Sequence, residues 1–228
     1  MSLPLKGKTK MKVNFEKIKN DAAIKTYIEA ADASLIALGF TEHSFAHVGR
    51  VSEVAATILS SLGYDEKTVE LARIAGYMHD IGNLVNRHEH SQSGAVMAFR
   101  ILDNLGMDAE DIATVVTAIG NHDEGTGVPV NAVAAALILA DKSDVRRSRV
   151  RNADKLTFDI HDRVNYSVAH SDLAIEGRDI RLSLTIDTEI SSIMDYFEIF
   201  LDRMTMCRHA AERLGLFFKL TINEQNFI

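Results

Sequence analysis

Six of the nine histidines in this 228-residue sequence fall at or before position 122: His43, His47, His79, His88, His90 and His122. The sharpest element among them is the adjacent pair His79-Asp80, in the run Tyr77-Met78-His79-Asp80-Ile81-Gly82 at the end of an apolar helical stretch. An imidazole beside a carboxylate can chelate a divalent ion. Neighbouring side chains on a helix diverge by about 100°, so both can serve one ion only where the helix stops, and Gly82 supplies the stop. Nitrogen and carboxylate donors without a thiolate suit iron, manganese, zinc and other ions of intermediate hardness, and do not choose among them. For the pair alone, a buried histidine bonded to a neighbour is the competing reading.

The elements that must carry these residues are mostly helical. Apolar residues recur with helical period through Ile18, Ala22, Ile28, Ala31, Leu35 and Leu38, and again through Phe45, Val48, Val51, Ala55, Ile58 and Leu62. Further helices are expected over 65–79, 91–105, 108–120 and 131–149, each with a start or stop signal. The pattern then changes. Ile180, Leu182, Leu184 and Ile186 alternate with polar residues, residues 166–175 form the expected partner strand across Glu176-Gly177-Arg178-Asp179, and residues 188–214 return to a helical period before Leu216, Phe218, Leu220 and Ile222 alternate again. The expectation is a mostly α fold: a flexible tail (1–13), a helical metal-binding domain (14–155), and a small α+β extension (156–228) with about three strands and one long helix packed on it.

With these residues in view, the sequence resembles the HD superfamily of metal-dependent phosphohydrolases over roughly 41–149. His47 in His47-Val48-Gly49-Arg50-Val51 matches that family's first histidine, His79-Asp80 its doublet, and Asp141 in Leu139-Ala140-Asp141-Lys142 its final aspartate. There is a partial resemblance to the multi-metal subgroup with a Gly-Tyr-Pro signature, which includes cyclic-dinucleotide phosphodiesterases. His90, followed by Gly94-Ala95, resembles the third histidine of that subgroup, and Asn121-His122-Asp123-Glu124 resembles its His-His-Glu stretch. Asn121 stands in place of a histidine, Gly127-Val128-Pro129 in place of Gly-Tyr-Pro, and Asn83 in place of a frequent lysine.

The resemblance implies an HD-type helical bundle with one or two divalent ions (iron, manganese, magnesium, zinc or nickel) held by His47, His79, Asp80, His90, His122 and Asp141. It implies hydrolysis of a phosphate ester (a nucleotide, phosphomonoester or cyclic dinucleotide) by a metal-activated water. Asp80, His122 and Arg146 are the expected catalytic residues, with Asp80 bridging where two ions bind. His43 and His88 remain open as ligands. Which of Lys142, Arg146, Arg147 and Arg149 grips phosphate also stays open, the alternative being a solvated helix end. A second reading is a sensor module that binds metal and nucleotide without turnover, for which Asn83 and Asn121 speak. A third gives the terminal sheet a structural or partner-binding role.

Bulk properties narrow the partners. A net charge of −7 opposes non-specific adhesion to nucleic acid or anionic lipid while leaving room for a small anionic substrate. The single cysteine, Cys207, excludes an intrachain disulfide and suits a reducing, cytoplasmic setting. The lysine-rich start lacks the apolar centre of a secretory signal, and the apolar run over 128–140 is too short and too interrupted to span a bilayer. An exposed edge of the C-terminal sheet would pair between chains and give a homodimer.

Overall fold

A computed structural model describes residues 13–152 and 158–228. Most of the expected tail and the boundary expected at residue 155 lie outside the described residues, and Val13, the first described residue, is already buried.

The first described elements are a short helix α1 (Phe15–Asn20) and the longer α2 (Ala22–Ala37). The apolar repeat reads as one helix through this region, but the side chain of Asp21 accepts from the backbone N–H of Ala23 and Ile24 and so caps a new helix. Next come α3 (Phe45–Ser61), capped by Ser44, and α4 (Glu66–Met78), capped by Asp65. A single 3-10 turn, Ile81–Leu84, leads to α5 (His90–Leu105), α6 (Ala109–Gly120) and α7 (Ala132–Lys142). α7 is the axis of the bundle: every residue from Val133 to Ala140 is at most 2% exposed, and the helix packs on α3, α4 and α6. A stretch rich in alanine suits that position, because small side chains let three helices approach one.

The helix expected to reach residue 149 stops at Lys142. Ser143 Oγ donates to Ala140 O, the backbone turns, and the chain from Asp144 to Arg149 folds back over the bundle with a 3-10 turn at Arg147–Arg149. The cause is a buried carboxylate: Asp144 is 1% exposed and can be buried only where guanidinium groups meet it.

After α8 (Ile160–Ser167), which the alternation pattern did not reveal, come β1 (Val168–Glu176), β2 (Asp179–Ile186), α9 (Ile193–Arg213), β3 (Phe217–Ile222) and the two-residue β4 (Gln225–Asn226). The four strands lie in the order β1-β2-β3-β4. β1 and β2 form the expected hairpin, turning on Gly177 at φ 64°, a left-handed conformation that glycine adopts at little cost. β3 returns parallel to β2 through α9, pairing Ile180 with Phe218, Leu182 with Leu220 and Leu184 with Ile222, and these six side chains are buried. α9 packs on both β3 and α7, and thereby joins the extension to the bundle. Among the described residues no helix is long and apolar enough to cross a membrane.

Candidate metal centre

His47 lies in the first turn of α3, His79 and Asp80 at the end of α4, His90 at the start of α5, His122 just past α6, and Asp141 in the last turn of α7. Helix ends are where side chains escape the helical spacing, which is how five elements deliver donors to one point. Gly82 makes the junction of α4 and α5 tight: a Cβ there would lie 1.9 Å from His90 O and 2.4 Å from Gly94 N.

All four imidazoles are oriented alike. His47 Nδ1 is 2.8 Å from Asp144 Oδ2, while Nδ1 of His79, His90 and His122 faces the carbonyls of Gly76 (2.8 Å), Arg87 (3.1 Å) and Ile119 (2.6 Å). A carbonyl only accepts, so each of those Nδ1 atoms carries the proton and each Nε2 turns its lone pair inward. The Nε2 atoms of His47 and His79 are 3.3 Å apart, and those of His90 and His122 are 3.1 Å apart. Donors held about 2.1 Å from one ion stand about 3.0 to 3.4 Å apart. Lone pairs pointed at one another at that spacing call for a cation between them.

Asp80 joins the two pairs. Its Oδ2 is 3.1 Å from His79 Nε2 and 3.4 Å from His47 Nε2; its Oδ1 is 3.4 Å from His90 Nε2 and 3.9 Å from His122 Nε2. Oδ1 also accepts from Asn83 Nδ2 at 3.0 Å, whereas buried Oδ2 has no aligned hydrogen bond. Asp141 Oδ1 completes the first group at 3.3 Å from His47 Nε2 and 3.6 Å from His79 Nε2. The donor chemistry and spacing fit a divalent ion in the group His47, His79, Asp141, and again in the group His79, Asp80, His122.

Electrostatics agree. Burial opposes protonation of His79, yet Asp80 and Asp141 outweigh it and raise its pKa to about 10, so without an ion Nε2 carries a proton as well, and a bound metal would take the place of that proton. Burial also opposes ionisation of Asp80 and Asp141, which are nonetheless held well below the usual carboxylate range, Asp80 mainly by His79 and Asp141 mainly by Lys142. His122 is pushed well down by burial and by the neighbouring His79 and Lys142. The centre thus holds ionised carboxylates that attract positive charge, whether proton or metal.

The cleft in front has a volume of about 380 Å³, with Asp80 and Asp141 on its floor. His43 lines it, with Nδ1 at 2.7 Å from Thr41 O, and belongs to neither donor group; His88 is exposed outside it. Arg146 does not reach the cleft. Its guanidinium is spent on Asp144 and, at 3.4 Å, on Glu42, because the end of α7 at Lys142 turns it away from Asp141. Arg147 likewise donates to Tyr166 O. Lys142 and Arg149 do line the cleft. Sequence reasoning passed over Arg87, Arg203 and Asp144. Asp144 left a signal, a second acidic residue three after Asp141 in an arginine-rich segment; Arg203 left none, being a helical arginine some sixty positions from any ligand.

An uncharacterized protein of Methanocaldococcus jannaschii is 28% identical over 174 residues, 66% of this chain and 66% of that protein, so the chain spans just under two thirds of that relative's length. A crystal structure of a predicted HD superfamily hydrolase from an uncultured Thermotogales bacterium is 24% identical, covering 57% of this chain and 73% of that one with a TM-score of 0.41. The HD domain family profile matches residues 44–159, a span that takes in every donor from His47 to Asp141. That match extends over half of the chain, and this protein belongs to the HD domain family.

Proposed function

We propose that this protein is a metal-dependent phosphohydrolase that cleaves a small phosphate ester with an activated water, and that Asp80 would bridge the ions where two bind. The observation that carries the reading is the division of Asp80: one oxygen faces Nε2 of His47 and His79, the other Nε2 of His90 and His122. A carboxylate with no aligned bond on Oδ2, buried among inward-facing imidazoles, is costly without a positive partner. A divalent ion supplies Lewis acidity toward a phosphoryl oxygen and lowers the pKa of water from about 15.7 toward about 7.

The chain's own groups do the rest. The fixed Nδ1 partners hold each imidazole as a ready donor, so little reorganisation is needed on loading. Asn83 donates to both the carbonyl and Oδ1 of Asp80, at 3.0 Å each, and so fixes the rotation of the bridging carboxylate. His122 acts here by donation from Nε2. The cleft's cations favour an anionic ester, and its volume of about 380 Å³ suits a nucleotide or smaller monoester.

The test is a panel of nucleotides, phosphomonoesters and cyclic dinucleotides, assayed with protein loaded separately with manganese, iron or magnesium. Turnover of at least one ester is expected, together with loss of both metal and turnover in Asp80→Ala. Binding of nucleotide without cleavage in single-turnover assays, under every loading, would instead support the sensor reading.

A further inference from the structure

Four cations line the cleft beside Asp80 and Asp141, and they differ in what their donors already do. Lys142 Nζ forms ion pairs with Asp141 Oδ2 at 2.7 Å and Glu124 Oε1 at 3.2 Å. Arg149 gives Nε to Glu42 O at 2.9 Å and Nη1 to Asp144 O at 2.8 Å. Arg87 points Nη1 at Asn83 Oδ1 (3.4 Å) and the His90 ring. Arg203 is engaged only along one edge and one face: Nε is 2.6 Å from Glu124 Oε1, and the guanidinium lies 4.5 Å over the Phe200 ring. Its Nη1 and Nη2 meet no acceptor among the described residues.

We propose that Arg203 is the residue that docks the anionic group of the substrate in this cleft, so that the C-terminal extension, not the family-matched bundle, selects the ester. The inference rests on the phosphohydrolase reading. The guanidinium is paired with Glu124 on one edge and stacked on Phe200, so the edge that meets no acceptor among the described residues is presented with little further loss of side-chain entropy. Two parallel N–H donors match two oxygens of a phosphoryl group, a geometry that an ammonium lacks.

Position is referenced to the metal centre through an unbroken run of ion pairs. Arg203 meets Glu124 at 2.6 Å, Glu124 meets Lys142 at 3.2 Å, and Lys142 meets the donor Asp141 at 2.7 Å. Arg203 is therefore held at a set offset from the carboxylates that face the ions. It also lies on α9, outside the family-matched residues 44–159, as do His161 and Asn165 of α8 on the same cleft. A different extension on the same bundle would place a different wall before the same donors. The class of ligand is a small organic phosphate whose anionic oxygens meet Arg203.

The test uses the full chain loaded with Mn2+, titrated with inorganic phosphate by calorimetry, beside Arg203→Gln and Arg203→Lys. Phosphate affinity is expected to fall about 10-fold to 100-fold in the glutamine variant and by less in the lysine variant, with Mn2+ affinity unchanged in both. Equal phosphate affinity in wild type and Arg203→Gln overturns the inference and leaves the phosphohydrolase reading standing. Wild type that takes up Mn2+ yet binds no phosphate and cleaves no ester removes both. Should the glutamine variant not fold, the lysine variant decides, since it keeps a charge beside Glu124 and loses the planar pair of donors: affinity equal to wild type counts against the inference.

Discussion

His47 Nδ1 lies 2.8 Å from Asp144 Oδ2, and both side chains are completely buried. Burial opposes ionisation of Asp144, but the hydrogen bond from His47 and the charges of Arg146 and Arg149 outweigh it and keep the carboxylate ionised, and Arg50 Nε also lies 3.2 Å from Oδ1. The result is a carboxylate–histidine pair that fixes the tautomer of His47 and makes its inward Nε2 a stronger donor. The same segment anchors the extension, because Ser171 Oγ donates to Ser143 O at 2.6 Å and Arg50 Nη2 to Ser171 O at 3.2 Å.

Asp144→Asn is expected to weaken metal binding about 10-fold to 100-fold at the group His47, His79 and Asp141, and to leave the group His79, Asp80 and His122 nearly unchanged. A two-step Mn2+ binding isotherm separates the two. Equal weakening of both steps would mean that Asp144 only supports the fold, and no weakening would mean that it does not position His47.

Gly82→Ala is expected to be among the most damaging single-methyl changes in the chain. The added carbon would meet His90 O and Gly94 N at 1.9 and 2.4 Å, and both are backbone atoms that cannot rotate away. Overpacking of a core commonly costs about 1–3 kcal/mol, and a backbone clash of this depth belongs at or above the upper end. Urea denaturation of metal-free protein measures the loss, and a loss below about 1 kcal/mol would show that α5 shifts freely relative to the 3-10 turn. Because His90 opens α5 with its Nε2 3.4 Å from Asp80 Oδ1, the surviving folded protein should also bind metal more weakly.

Much of this is legible without coordinates, and what is not has a common cause. Periodicity exposes the helices and the β1–β2 hairpin because burial imposes a repeat on residue type. It conceals the break at Asp21, where the apolar repeat continues and only a side-chain cap interrupts the backbone. His47, His79, Asp80, His90, His122 and Asp141 stand out because donor residues of fixed chemistry mark the sequence wherever they fall, and the structure gathers their inward atoms. The cations do not stand out. Arg146 is near Asp141 in sequence but is turned onto Asp144, whereas Arg203 reaches the cleft from α9 by tertiary packing. Local spacing carries no record of that packing.

Acid should reveal the Glu124 contacts. Burial raises the pKa of this carboxyl, but Lys142 and Arg203 outweigh burial and bring it to about 2. The folded pKa lies below the unfolded value of about 4.3, so Glu124 contributes stability that is present above that value and is lost as pH falls toward about 2. In metal-free protein, which removes loss of metal as a cause, Glu124→Gln should therefore be less stable than wild type at pH 6, and the gap should close between about pH 5 and pH 2. A gap that stays constant across that range would show that the residue contributes through packing and not through its charge, and would also weaken the ion-pair run that fixes Arg203 relative to Asp141.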